Sequence, residues 1–420
     1  MKKVSAGLYV SLLKESLAFA IHALRVNKLR TFLSLLGVTI GIFAIISVFT
    51  MVDSLEKNVR GSIESLGDNV IFVQKWPWTF VSEYPWWKYM NRPVPQLDEL
   101  DFVTRKSKLA EAACFMVGRM ADAEYKSNAF ERIEVVAISH DYYRVKELQL
   151  LAGRYFSIPE SKSGKAYCII GYDIAAVLFS GTNPIGKKIK VAKRKMTVIG
   201  VLDREGESFL GNTADQQVFV PVNYAKTFMD IRSEKLNPFL MVKAKPEVSN
   251  FQLMEELTGI MRAVRRLKPK ADDNFALNQT SMLTNTFGQL FNIMNMAGTI
   301  IGMFSILVGG FGIANIMFVS VKERINIIGI QKALGAKNSF ILFQFLSEAV
   351  ILCVFGGLIG IGLIFIITTV VQYAFDFNIY LSLNNVALGI GISVGIGLIS
   401  GIWPAQSAAN LDPVDAIRAK

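Results

Sequence analysis

The sequence predicts an integral membrane α-helical protein with four transmembrane helices and an extracytoplasmic α+β domain inserted between helices 1 and 2. Three observations carry this. Residues 274–321 contain no charged side chain and are followed at once by Lys322-Glu323-Arg324; such a run exceeds the about 20 apolar residues that span a hydrocarbon core. Apolar residues make up 52% of the 420-residue chain and charged residues 19%, away from a typical soluble balance. The excess sits in four segments: Thr31–Val52 and stretches within Ala297–Val321, Ala349–Val371 and Val386–Trp403. Between the first and second segments lie about 220 residues of soluble composition, enough for one large domain or two small ones.

Taken in order, residues 1–30 read as a cytoplasmic amphipathic helix. Leu12, Leu13, Leu17, Ala20, Ile21 and Leu24 recur at helical spacing with Lys14, Glu15, Arg25 and Lys28 interspersed, the pattern of a segment lying along the inner leaflet. Residues 31–53 form transmembrane helix 1. It reads as a retained anchor, because its apolar core of about 20 residues exceeds a signal peptide's 7–15 and no cleavage site follows it. Residues 54–285 alternate strand and helix signals. Asn69–Gln74, Ile133–Ile138, Ala166–Ile170, Met196–Val201, Gln217–Val220 and Leu240–Lys243 are strand candidates. Pro95 opens an acidic-started helix, and Phe251–Leu267 reads as another. Residues 286–321 form transmembrane helix 2, 322–337 a short cytoplasmic helix, 338–374 helix 3, 375–384 a short outer loop, 385–404 helix 4 and 405–420 a cytoplasmic tail.

Charge sets the orientation. Lys2, Lys3, Lys14, Arg25, Lys28 and Arg30 precede the first span, and Lys322, Arg324, Lys332 and Lys337 lie between the second and third. The loop between the third and fourth carries Asp376 and no Lys or Arg. The positive-inside rule then places both termini and the 322–337 loop in the cytoplasm. It also accounts for much of the net charge of +11, so that charge gives no reason to expect nucleic acid as a partner.

Every span carries at least one pair of glycines four apart: Gly37/Gly41, Gly298/Gly302, Gly356/Gly360 and Gly391/Gly395. Small residues let helix backbones approach where lipid gives no hydrophobic drive, within one chain or between two. Trp76, Trp78, Trp86 and Trp87, with Tyr84 and Tyr89, form an aromatic insert after the first outer strand. It suits either a membrane or protein interface or the packing of its own Pro-rich loop. Cys114 and Cys168 share the outer domain, where a disulfide is chemically allowed; two small buried hydrophobes is the simpler reading. Glu348, near the start of the third span, reads as an interfacial carboxylate paired with a basic neighbour, the other reading being a proton site.

Enzymatic chemistry finds no support. Residues 181–188 approach a phosphate loop, but Lys188 stands where the Ser/Thr belongs and Pro184 interrupts it; a turn into a strand fits better. Gly391-Ile-Ser393-Val-Gly395 matches a nucleophile elbow but lies mid-span. The chain's two histidines, His22 and His140, and its three cysteines show no metal-ligand spacing. No catalytic, cofactor or metal residue is assigned.

The sharpest feature is Val321–Ala336. Ile327, Ile330 and Leu334 form an i, i+3, i+7 stripe, and Gly335 suits a left-handed helix end. A stiff cytoplasmic helix tied to spans at both ends is a lever. Together with Gly309-Gly-Phe-Gly-Ile-Ala-Asn-Ile-Met-Phe-Val-Ser-Val-Lys-Glu-Arg324 and Ile328-Gly-Ile-Gln-Lys-Ala-Leu-Gly-Ala336, the chain resembles the MacB/FtsX-type ABC transporter permeases. Leu36-Gly-Val-Thr-Ile-Gly41, Gly153-Arg-Tyr-Phe156, Asn183-Pro-Ile-Gly-Lys-Lys188 and Leu411-Asp-Pro-Val-Asp-Ala-Ile-Arg418 extend the resemblance over nearly the whole chain.

The resemblance implies a multi-pass bacterial inner-membrane permease with a MacB-like core domain, expected in two lobes at 54–285, in the periplasm. It implies a homo- or heterodimer working with a cytoplasmic ABC ATPase, which uses ATP-Mg and, since only about 30 residues precede the first span, would be a separate polypeptide. Lys322, Glu323, Arg324, Ile327, Ile330, Lys332, Leu334, Gly335 and Ala336 would then form the coupling helix. Efflux or extraction of a drug, peptide or lipoprotein would follow, with a periplasmic adaptor and an outer-membrane channel as further partners beside membrane lipid. The alternative is an FtsX-like signalling scaffold that controls an envelope hydrolase or sensor and transports nothing.

Overall fold

The computed structural model describes residues 28–64, 66–67, 69–79, 84–206, 213–375 and 379–418. The amphipathic helix expected over residues 1–30 falls almost wholly outside them, as do His22 and Asp376. The described chain forms two compact units: the residues up to Lys57 together with Gln289–Lys420, and Asn58–Gly288.

In the first unit lie helices long and apolar enough to cross a membrane: Lys28–Glu64, Thr280–Glu323, Asn338–Phe375 and Leu383–Ala409. Two of them run on into the second unit. Each outlasts its apolar segment, because a helix hydrogen-bonds within itself whatever its side chains, and Asp53, Glu56 and Lys57 are no breakers. Pro404 lies inside the fourth helix, and the tail expected at 405–420 is corrected accordingly. Residues 405–409 complete the fourth helix, and Pro413–Arg418 forms another.

The helices pack around Val38, Ile42 and Ile46 of the first, Ile313 and Met317 of the second, Phe345 and Leu352 of the third, and Ile396 and Ala405 of the fourth. Glycine sets the closest approaches. A Cβ on Gly360 would lie 2.9 Å from the Thr39 carbonyl oxygen, one on Gly41 3.1 Å from that of Ser305, and one on Gly298 2.5 Å from Val48 Cγ1. Gly302 meets Ile45 in the same way, Gly37 lies against Gly309, and Gly356 faces Leu35 and Val38. The structure does not bring Gly391 and Gly395 into such contacts: a Cβ on either would meet nothing within 4 Å. Each sits two residues, about half a helical turn, from the packed face, and Gly389, Gly397 and Gly401 make the fourth helix's approaches instead. At the other end of this unit Asn385 Nδ2 donates to Asp53 Oδ2 at 2.9 Å, and the Tyr380 amide donates to Ser54 Oγ at 3.2 Å. These bonds tie the start of the fourth helix to the first.

The second unit is built on one ten-stranded sheet in the order β10-β1-β9-β2-β3-β8-β5-β7-β4, with β6 pairing β2 and β7. The strands are β1 Val70–Gln74, β2 Ala110–Tyr125, β3 Asn128–Ile138, β4 Leu150–Gly153, β5 Tyr167–Ile170, β6 Lys188–Val191, β7 Arg194–Leu202, β8 Gln217–Pro221, β9 Phe239–Ala244 and β10 Ala276–Gln279. The β3–β8 and β5–β7 pairs are parallel and the others antiparallel. The two lobes expected at 54–285 thus share a single sheet.

Both faces are covered, so alternate residues of one strand enter different cores. Ile71 and Val73 join Phe115, Val135, Val220 and Leu240 on one side, beneath helices that contribute Val103, Leu178 and Leu257. Val70 and Phe72 join Cys114, Val136, Phe219 and Met241 on the other. Cys114 and Cys168 consequently belong to different cores and both are free thiols, which settles the pairing question: burial pushes both thiols up.

The acidic-started helix runs over Leu97–Lys106, two residues beyond Pro95, with Gln96 and Glu99 as a capping box. Glu99 also forms a bidentate pair with Arg265, 2.7 Å from Nε and 3.1 Å from Nη2, with both side chains nearly buried. The aromatic insert packs partly on the sheet and partly on itself: Trp78 lies 5.0 Å from Phe72 of β1 and Trp76 6.4 Å from Tyr89 between ring centroids. Trp86 and Trp87 remain exposed.

Candidate functional site

The candidate site is the short helix Ile325–Ala333, which follows the second membrane helix after a turn at Arg324. Its end is defined by Gly335, whose φ of 98° lies in the left-handed region. The Ala336 amide then reaches the Gln331 carbonyl and the Gly335 amide that of Lys332, each at 3.0 Å. This Schellman arrangement satisfies the last carbonyls and turns the chain into the third membrane helix.

The two faces of this helix differ. Ile327 and Ile330 are 55% and 52% exposed and Leu334, just past the end, is 85% exposed. On the opposite face Ile328 is buried in the helical core. Gly329 is buried too, where a Cβ would lie 2.9 Å from that of Ala416. Lys332 Nζ donates to the carbonyls of Ala409 at 2.8 Å and Leu411 at 2.6 Å. A cation there complements the carbonyl-rich end of the fourth helix. Arg324 Nη1 lies 3.3 Å from Glu348 Oε2, and Glu348 is buried in the third helix. The basic partner expected for Glu348 is therefore Arg324.

These placements sort the residues singled out from the sequence. Ile327, Ile330, Leu334 and Gly335 face outward, as do Lys322 and Glu323. Ala336 is half-buried against the helical core. Arg324 and Lys332 are corrected as outward contacts, because both cations are engaged inside the protein. The role of Gly329 was not evident from the sequence; its signal was a glycine set between Ile327 and Ile330 of the stripe.

In the second unit, Arg154 makes two 2.7 Å bonds to Glu160 and holds its carboxyl down at about 2. Residues 181–188 form a turn into β6, not a phosphate loop. Among the described residues no group of three His, Cys, Asp or Glu could hold a metal ion.

Helices long and apolar enough to span a membrane, together with a separate α+β unit, define the class as a multi-pass membrane protein. The comparisons give the class its family. The profile described as MacB-like periplasmic core domain matches residues 31–260, and that of the FtsX-like permease C-terminal region matches residues 299–413. The chain belongs to the MacB/FtsX-type family of ABC transporter permeases. It is 30% identical over 423 residues to the macrolide export ATP-binding/permease protein MacB of Neisseria meningitidis serogroup A, an alignment covering 99% of this chain and 62% of that protein. It is 30% identical over 418 residues to the probable syringafactin export ATP-binding/permease protein SyfD of Pseudomonas syringae pv. tomato, covering 97% and 59%. The chain thus spans about three fifths of the length of these relatives. Among solved structures, the periplasmic region of MacB from Actinobacillus actinomycetemcomitans aligns with a TM-score of 0.43 at 15% identity, covering 55% of this chain and 96% of that one.

Proposed function

We propose that the chain is the permease subunit of an ABC transporter in a bacterial inner membrane, with residues 54–285 inserted between the first two spans and lying in the periplasm. An ABC ATPase docks on the helix Ile325–Ala333. Closure of the ATPase on ATP-Mg tilts that helix, and the spans carry the motion to the periplasmic domain. The work serves export or extraction of a substrate such as a drug, peptide or lipoprotein, in a dimer of permeases. This chain supplies no catalytic group of its own. An adaptor and an outer-membrane channel complete an efflux assembly.

One observation supports the reading above the rest. Ile327, Ile330 and Leu334 are exposed on a helix whose other face is fixed by Ile328, Gly329 and Lys332. At about 25 cal/mol per Å² of apolar area removed from water, covering that stripe stabilises a complex. The bracing lets a push on the stripe move the spans instead of bending the helix.

The test is co-reconstitution with the cognate ABC ATPase in proteoliposomes. Leu334→Glu should abolish the permease-stimulated part of ATP turnover and leave membrane insertion intact. Stimulated turnover at the parental level would overturn the docking assignment.

A further inference from the structure

The helix Pro413–Arg418 is only six residues long, far below the length at which an isolated helix holds in water. It is held in place nonetheless. The Asp412 carboxylate accepts the Val414 amide at 2.8 Å, and the Asp412 carbonyl accepts the Ala416 amide at 2.9 Å. Lys332 grips the preceding turn through Ala409 and Leu411. Gly329 gives the helix its seat: a Cβ there would lie 2.9 Å from Ala416 Cβ and 3.0 Å from Ile417 Cγ1.

Its orientation is the opposite of what stability alone would select. An amphipathic helix turns its bulkiest apolar side chains inward. This one buries Ala416, at 2% exposure, and leaves Val414 and Ile417 at 59% and 50%. Ile417 abuts Gly329, which lies between Ile327 and Ile330 in the neighbouring helix. Two touching helices therefore expose Ile327, Ile330, Leu334, Val414 and Ile417, the kind of apolar surface that marks a contact site. Area points the same way. A stable protein interface takes about 800 Å² from each partner, more than three side chains of one short helix provide.

We propose that the C-terminal helix is the second half of the ATPase-docking surface, with Val414 and Ile417 contacting the same ABC ATPase as the 327/330/334 stripe. The inference rests on the docking reading above and extends it. Lys332 and Gly329 act as positioning residues that hold the two halves in one plane.

The experiment places a photo-crosslinking amino acid at position 414, 417 or 334 of the full chain in native membranes and identifies adducts by mass spectrometry. Position 363, on the exposed side of the third helix, serves as the control. The expected result is an ABC ATPase adduct from 414, 417 and 334 and none from 363. An adduct from 334 with only lipid or nothing from 414 and 417 overturns the proposal and leaves the docking reading standing. No ATPase adduct from 334 removes both. As a second measurement, Val414→Glu combined with Ile417→Glu should weaken retention of the ATPase about tenfold while permease insertion is unchanged; full retention also overturns the proposal.

Discussion

Lys332→Met removes an ammonium and keeps most of the stem. The lost groups are two donated bonds, at 2.8 Å to Ala409 and 2.6 Å to Leu411. Charge-assisted bonds contribute ~1.5–3 kcal/mol each, and a cation at a helix carboxyl end ~0.3–1 kcal/mol. Lys332 is half-buried, so water replaces part of this, and about 2–3 kcal/mol is the expected net loss of attachment. At 1.4 kcal/mol per decade, local opening of the C-terminal helix becomes ~30–140-fold more frequent. The reporter is the Ala416 amide, which donates to the carbonyl of Asp412 just before that helix. Hydrogen exchange measured by mass spectrometry on the protein in nanodiscs should show residues 412–418 exchanging faster by that factor, with peptides from the sheet unit unchanged. Lys332→Arg keeps the charge on a planar fork and should restore only part of the protection. Exchange of 412–418 indistinguishable from the parent would refute the idea that Lys332 ties these two short helices together.

Other expectations concern packing and charge. Gly360→Ala drives a methyl against the Thr39 carbonyl and should destabilise the helical unit by about 1–3 kcal/mol, the usual cost of overpacking. Gly391→Ala meets open space and should leave the melting temperature in detergent unchanged; equal effects from the two would show that the helices pack differently. Glu99→Ala strands the Arg265 cation in a nearly buried site and should cost ~3–5 kcal/mol, read as a drop of roughly 10 °C in the unfolding midpoint of the sheet unit. Glu160 has a folded-state carboxyl held well below its unfolded value, so its contribution is present above the ordinary carboxylate range near pH 4.3 and is lost as pH falls towards 2. Arg154→Ala should flatten this acid sensitivity, and midpoints at pH 7 and pH 3 for both proteins check it.

What was legible in the sequence follows the strength of the physical signal. Hydrocarbon thickness demands length and apolarity, so the spans stand out by composition. Their ends do not, because Ser54–Glu64 is largely polar yet helical and holds no proline to stop it. The strands at Val70, Ile133, Tyr167, Met196, Gln217 and Leu240 were readable from β-branched runs. The longest strand, β2, was missed. Its sequence AEAACFMVGRMADAEY is rich in alanine, with glutamate beside it, and both favour helix when alone. Pairing with β3 and β9 on either side overrides that preference. In the site, the stripe 327/330/334 was visible as periodicity. The inward turn of Arg324 and Lys332 was not, because their partners Glu348, Ala409 and Leu411 lie far along the chain.

The pairing of β1 with β10 places the first and last strands of the sheet unit side by side, Ile71 opposite Gln279, and Thr280 Oγ1 reaches the Gly67 carbonyl at 3.4 Å. The polypeptide therefore enters and leaves this unit at one doorway. A segment with such ends is a cassette: evolution, or a protein engineer, could exchange it for another of different specificity without re-spacing either flanking helix. The same closure makes the last strand a latch in biosynthesis, since the sheet lacks β10 until residues 276–279 have emerged.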